Sequence, residues 1–305
     1  MSLGRTVALT DTGRKRRHNE DVYVVDPPIF AIADGMGGAK AGEVAAALAA
    51  DVLRGEGGSG EQALVTLIQE ANRRVYERAS EDAAKSGMGT TMTVALLEDS
   101  HVRIGHVGDS RAYLIRDGEL SQLTDDHSLV GELVRSGKLA PEDAETHPQR
   151  SVITRVLGTD PDVDVDTITI ETRSGDLFLL CSDGLYSMVG NDRILELVER
   201  NRRDLDAAAK ALVAAANKGG GDDNITVVAF EIASPDEETM EDARPEPALD
   251  EEEDTLTELD QVPTVSAEPE EEPPAAIKPP WIVLALLALL ILAIAASITI
   301  YLLVR

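Results

Sequence analysis

Cysteine is almost missing from this chain of 305 residues: Cys181 stands alone, so no intramolecular disulfide can form. A reducing compartment is the expected setting. Positive charge is short as well, with 28 Lys and Arg against 56 Asp and Glu and a formal net charge of −28. Phosphate backbones select basic patches, so nucleic acid is excluded as the main partner, although a local basic site for a single phosphate is not. The five histidines, at 18, 101, 106, 127 and 147, show no zinc-ligand spacing and read as surface or packing residues.

Several chemistries lack a part they require. Cys181 is followed by Ser-Asp-Gly-Leu-Tyr-Ser, which has no arginine to complete a cysteine-based phosphate loop, and a buried inert thiol is expected. In "GMGGAKAG" Lys40 is not followed by Ser or Thr, so the spacing is not that of a P-loop. "SDGLYS" has no glycine before the serine for a nucleophile elbow, and kinase signatures are absent. A calcium module would need a compact Asp-rich loop, which is also absent.

What is present divides into three zones. Residues 234–280 hold 17 Asp and Glu against 2 Lys and Arg, together with 9 of the 14 prolines. Such a segment cannot bury enough apolar surface to fold and is expected to be a disordered linker. Trp281 to Val304 is a run of 24 residues without a formal charge. As a helix rising ~1.5 Å per residue it would reach about 36 Å, enough to cross a hydrocarbon core of ~30 Å with some tilt. Trp281 and Tyr301 lie where interfacial aromatics sit. The first 17 residues have no apolar core long enough for a signal peptide. The expectation is a single-pass membrane protein with its large N-terminal domain, 1–233, in the cytoplasm and an anchor at 281–305.

Within 1–233, helical patterns cover about 42–54 and 61–85, and strands fall near 90–97, 102–107 and 111–116. Asp117-Gly118 reads as a hairpin turn. Short helices are expected at 127–137 and 141–146, followed by the strand "DLFLLCS", helices near 192–200 and 204–217, and a closing strand "NITVVAFEI". Grouped strands and grouped helices predict an α+β fold with helices packed on antiparallel sheets.

Five acidic sites depart from ordinary turn chemistry. Asp34-Gly35 and Asp183-Gly184 each follow an apolar strand and lead toward a helix instead of a partner strand. "NED" at 19–21 precedes the strand "VYVV", Asp109 sits in a tight link between two strands, and Asp222-Asp223 follow a triple glycine. Carboxylates at strand ends are rigidly placed, and glycine beside them leaves room for a cation and exposes backbone carbonyls. Hard oxygen donors of this kind suit Mg²⁺ or Mn²⁺.

"RRHNED", "ADGMGG", "GDSRAY", "LLCSDGL" and "DDNITVV", in this order, resemble the metal-dependent Ser/Thr protein phosphatases, the type-2C family, over about residues 5–232. "GMGTTMT" and "HPQRSVITRVLG" resemble its bacterial, membrane-anchored branch. The resemblance implies a central antiparallel β-sandwich flanked by helices, with two divalent cations (Mn or Mg) at one end and a third, looser site. It matches Asp34 to the acid bridging both ions, Gly35 to a carbonyl ligand, and Asp183 and Asp223 to acids on the second ion. Glu20 and Asp21 match acids beside the site acting through water, and Asp109, with Asp183 and Ser151, matches the third site. Arg16 matches the residue that grips substrate phosphate, with Arg17 its neighbouring rival. Met36 stands where animal members carry a histidine proposed as general acid, which leaves the proton donor unassigned. Asp126 to Arg150 resembles the mobile flap beside the site. The implied activity is hydrolysis of phosphoserine and phosphothreonine on proteins, opposing membrane Ser/Thr kinases. The alternative is a catalytically inactive scaffold of the same fold that binds phosphoproteins or a signalling ligand.

Overall fold

The computed structural model describes residues 2–37, 41–54, 58–82, 85, 87–144 and 147–233. The chain begins with strands β1 (Ser2–Asp11), β2 (Asp21–Asp26) and β3 (Ile29–Met36), then helices α1 (Ala41–Leu53) and α2 (Glu61–Glu81). Strands β4 (Gly89–Thr90), β5 (Met92–Glu98), β6 (His101–Val107), β7 (Arg111–Arg116) and β8 (Glu119–Gln122) follow. Helices α3 (Leu129–Arg135) and α4 (Pro141–Ala144) precede β9 (Asp166–Glu171) and β10 (Leu177–Cys181). The last elements are α5 (Asp183–Tyr186), α6 (Asn191–Arg200), α7 (Leu205–Gly219) and β11 (Ile225–Ala233).

One sheet runs in the order β1-β11-β10-β7-β8 and the other β2-β3-β5-β6-β9, with β4 added to the end of β3. The strand pairs are antiparallel, which allows the grouped-strand connectivity read from the sequence. The sheets pack face to face, and helices cover both outer faces, so the central strands are buried on two sides. That is why β3 and β10 read as continuous apolar runs and not as alternating ones. In β10, Leu177, Leu179 and Cys181 join the helical side, while Phe178 and Leu180 face the opposite sheet.

The three phenylalanines of the chain all lie between the sheets. Phe30 stacks on Phe230 at 4.1 Å between ring centroids, and Phe178 stacks on the same ring at 5.1 Å. Each fully buried ring contributes about 1.5–3 kcal/mol, so the scarce aromatics are placed where the two sheets must be held in fixed register. On one outer face, small residues bring α1 close to the sheet, with Ala45, Ala46 and Ala49 fully buried. On the other, α7 is capped by Asp204, whose side chain accepts from the Ala207 N–H at 2.9 Å.

Most expected elements appear within a few residues of the sequence reading, and Asp117 and Gly118 both take positive φ (53° and 78°), as a tight hairpin turn requires. Three corrections have physical causes. β3 does not stop at Asp34 but continues to Met36, because Gly35 and Met36 pair with Thr90 and Gly89. β1 lacks a continuous apolar run because it is an edge strand with only Val7 buried. β9 ("DTITIE") is likewise an edge strand, half-buried and rich in Thr. Among the described residues no helix is long and apolar enough to cross a membrane. The expected linker 234–280 and anchor 281–305 lie outside the described residues.

Candidate active site

The alternation of the strands carries acids to one end of the sandwich. Phe30 and Ile32 point between the sheets, and with a period of two the next inward position on β3 is Asp34. Its register partner on β2 is Asp21, the first residue of that strand. On β10 the positions after Phe178 and Leu180 lead to Ser182, and on β11 Phe230 and Val228 lead back to Thr226. Apolar inner faces thus end in a polar cluster. Ser182 and Thr226 donate from their hydroxyls to Asp21 Oδ2, at 2.8 and 2.6 Å.

Because β10 and β11 are neighbours, the segments at this end place Asp183 beside Asp223. Gly184 lies against the Asn224 carbonyl so closely that a Cβ would come within 2.0 Å of its oxygen. Gly35 is constrained in the same way: a Cβ there would meet the Gly42 carbonyl oxygen of α1 at 2.2 Å. The glycines after the two acids are therefore required first by packing, which lets α1 and the β11 loop approach the acids. Asn224 ties the rim together, accepting from Glu20 N at 2.8 Å and donating to the carbonyls of Thr12 and His18 at 3.0 Å each. Asp109 is buried between β6 and β7, and Tyr186 donates to its carbonyl at 3.0 Å.

The carboxylates act on one another. Burial, then the charges of Asp21, Asp183, Asp109 and Asp223, push the Asp34 carboxyl well above the ordinary carboxylate range. Asp183 is pushed up by burial and by Asp109, Asp223 and Asp21. Burial raises Asp21 to about 6 against its two hydroxyl donors, and burial with the charge of Asp126 raises Asp109 to about 7. Glu20 is raised by desolvation, which outweighs its attraction to Arg16. Five buried or half-buried acids are thus raised at one end of the sandwich, and Asp21 Oδ1 has no hydrogen-bond partner. An orphaned oxygen among hard donors is a fit for a divalent cation and for little else on this chain. Among the described residues no three His, Cys, Asp or Glu side chains already form a ligand group for one ion.

Arg16, not Arg17, faces the acids. Its guanidinium pairs with Asp223 Oδ2 at 2.5 Å, and the charges of Asp223, Glu20 and Asp34 hold it firmly protonated against desolvation. Ser151 is exposed, and none of its described bonds reaches Asp109 or Asp183. Met36 is 37% exposed at the rim. Cys181 is buried and its thiol is pushed up to about 12 by desolvation, which makes it inert.

The sequence reading missed the residues that hold the acids. Ser182, Thr226 and Asn224 were hidden as ordinary polar residues beside strands. Arg111 is another: it grips Asp126 through Nε and Nη2 at 2.9 and 2.7 Å and lies 3.6 Å over the Tyr186 ring. It thereby joins the start of the expected flap to the element carrying Asp183. The flap itself contains α3 and α4, with Ser128 capping α3 by accepting from Gly131 N at 3.0 Å.

Hard-acid donors at one end of a two-sheet sandwich, with an arginine over them, have the chemistry of a divalent-cation centre that receives phosphate. The sequence model of protein phosphatase 2C matches residues 16–218. A serine/threonine phosphatase of Listeria monocytogenes is 41% identical over 237 residues, covering 73% of this chain and 93% of its own. The serine/threonine protein phosphatase PstP of Mycobacterium tuberculosis is 39% identical over 237 residues, covering 76% of this chain and 46% of its own. A crystal structure of that phosphatase superposes with a TM-score of 0.73 at 37% identity, covering 76% of this chain and all of the other. Its catalytic domain, solved with two manganese ions, gives 0.70 at 36% identity over 76% of this chain and 99% of the other. The chain belongs to the protein phosphatase 2C family, the metal-dependent serine/threonine protein phosphatases.

The raised acids set a direction for stability. A carboxyl whose folded pKa lies above its unfolded value keeps its proton in the folded state while the unfolded chain has lost it, so ion-free stability falls as pH rises through that window. For Asp109 the window runs from the ordinary value near 3.8 to about 7. His106, lowered to about 4 chiefly by burial, has the opposite slope below 6.5, so a difference between variants isolates the acid. With a chelator present, Asp109→Asn is expected to melt above the wild type at pH 8, with the gap shrinking as pH falls to 4. Thermal unfolding across that range checks this, and a gap independent of pH would contradict it.

Proposed function

We propose that this chain hydrolyses phosphoserine and phosphothreonine on proteins at the cytoplasmic face of a membrane, opposing the Ser/Thr kinases found there. The observation that carries the hydrolytic part is the gathering of Asp21, Asp34, Asp109, Asp183 and Asp223 at one sandwich end with Arg16 across them. Two divalent cations, Mn²⁺ or Mg²⁺, are the cofactor set, as in the manganese-bound relative. When bound they supply a water acidified enough to attack near neutral pH and counter-charge for the phosphate oxygens.

The protein's own contributions follow from the geometry. Asp34, on the inner face of β3 and surrounded by acids, would hold the cations, with the Gly35 carbonyl as a further donor. Asp183 and Asp223, brought together by adjacent β10 and β11, would hold the second. Glu20 and Asp21 orient water, the latter fixed by Ser182 and Thr226. Asp109, whose backbone carbonyl accepts from Tyr186, would serve a third, looser site. Arg16 pairs with Asp223 through one nitrogen only, which leaves the rest of its planar fork to receive the substrate phosphate. Its charge opposes the build-up on the non-bridging oxygens during in-line displacement.

The membrane part rests on sequence. Residues 281–304 serve as the anchor and 234–280 as a tether for the domain 1–233. A coil of 47 residues spans roughly 35–40 Å, lengthened by self-repulsion. Confinement beneath the bilayer raises the effective concentration of membrane-bound phosphoproteins.

Phosphate release from a phosphothreonine peptide, measured with Mn²⁺, Mg²⁺ and chelator, tests the chemistry. Turnover is expected to need the ion and to fall at least about a hundredfold in Asp34→Asn and Asp183→Asn. Activity in chelator, or wild-type rates in both variants, would contradict it. For the anchor, the full chain is expected to sediment with membranes and resist carbonate extraction, whereas a chain cut after residue 280 stays soluble. A full chain recovered in the soluble fraction would exclude the anchor.

A further inference from the structure

We propose that the loop around Arg14–Arg17 is a docking surface for acidic phosphopeptides, with Arg14 and Arg17 selecting anionic groups next to the phosphoresidue that Arg16 receives. This rests on the phosphatase reading above. Four consecutive cations, Arg14, Lys15, Arg16 and Arg17, interrupt a chain of net charge −28. The four are not equivalent in the structure. Lys15 pairs with Asp222 at 2.6 Å and Arg16 with Asp223 at 2.5 Å. Arg14 and Arg17 are exposed, and among the described residues neither side chain has a hydrogen bond or an ion pair. Two cations are thus held by the acids of the site's rim, and two are left to solvent on either side of them.

The loop is built to keep that arrangement. The N–H groups of Arg14 and Lys15 both donate to the Gly221 carbonyl, at 2.7 and 3.1 Å. Asn224 grips the carbonyls on both flanks, at Thr12 and His18. Gly13, at φ +76°, turns the chain so close to β11 that a Cβ would come within 2.2 Å of the Asp223 carbonyl. A fixed backbone leaves only the two arginine side chains to be ordered when an anion arrives.

A bound phosphoresidue at Arg16 lays the rest of an extended peptide along this loop, at about 3.3 Å per residue. Side chains one or two positions away then fall within reach of Arg14 or Arg17. A guanidinium matches the geometry of a carboxylate or a second phosphate, and the surrounding acids of the domain repel anions elsewhere. The loop therefore converts an otherwise anion-repelling surface into one that prefers acidic neighbours of the phosphorylated residue.

The test uses the full chain and an Arg14→Gln/Arg17→Gln double variant with Mn²⁺ and four substrates. Three are phosphothreonine peptides differing only in their flanks, which carry Asn, Asp or a second phosphothreonine, and the fourth is p-nitrophenyl phosphate. The variant is expected to match the wild type on p-nitrophenyl phosphate and the Asn peptide. On the acidic and doubly phosphorylated peptides its kcat/KM should fall about tenfold at low salt, through KM, and 0.5 M salt should erase the difference. A loss confined to the doubly phosphorylated peptide assigns the surface to phosphate alone. A variant that keeps the wild-type preference, or loses all four substrates equally with an unchanged melting temperature, overturns the docking surface but leaves the phosphatase reading. A wild type inactive on all four overturns both.

Discussion

The structure depends on gathering like charges where water is scarce. Four acids, Asp21, Asp34, Asp109 and Asp183, are buried or half-buried at one end of the sandwich, and each is driven toward its protonated form first by desolvation and then by neighbouring carboxylates, Asp223 among them in every case. No fold would retain that arrangement for stability alone, since isostructural amides would relieve it at little cost in volume. It becomes favourable when divalent charge enters among the carboxylates. The protein phosphatase 2C family puts that cost to use, and the remaining architecture can be understood as what holds the acids in place.

Two sheets are needed because the acids come from strands in both. Phe30, Phe178 and Phe230 fix the sheets against each other, and strand periodicity delivers Asp34 and the hydroxyls of Ser182 and Thr226 to the same rim. Close backbone approaches at Gly35 and Gly184 bring in α1 and the β11 loop, while Asn224 binds the basic loop to the same point. Arg111 extends the frame to the flap through Asp126 and Tyr186. Supports of this kind fix where the backbones that carry the acids sit.

Much of this was legible in the sequence. The apolar runs ending in Asp-Gly marked where acids meet strand ends, and the five motifs together identified the family. Asp34-Gly35 reads in the sequence as a departure from turn chemistry, with the glycine leaving room for an ion; in the structure a helix packs against that glycine. What stayed hidden was cross-chain: Ser182 and Thr226 meet Asp21 over separations of 161 and 205 residues, and nothing local signals such contacts. Edge strands β1 and β9 carry too little burial to imprint a clear pattern. The choice between Arg16 and Arg17 also needed the fold, because adjacent residues differ only in the direction they face.

Calorimetric titration of the chain with Mn²⁺ near pH 7 tests most directly whether the raised acids together hold the two cations. Ions that enter must displace protons from the carboxyls held above their ordinary range, so the heat should depend on the ionisation enthalpy of the buffer. The account predicts tight uptake of two ions with net proton release, reduced in both respects by Asp34→Asn. Binding without proton release, or binding unaltered by Asp34→Asn, would contradict it.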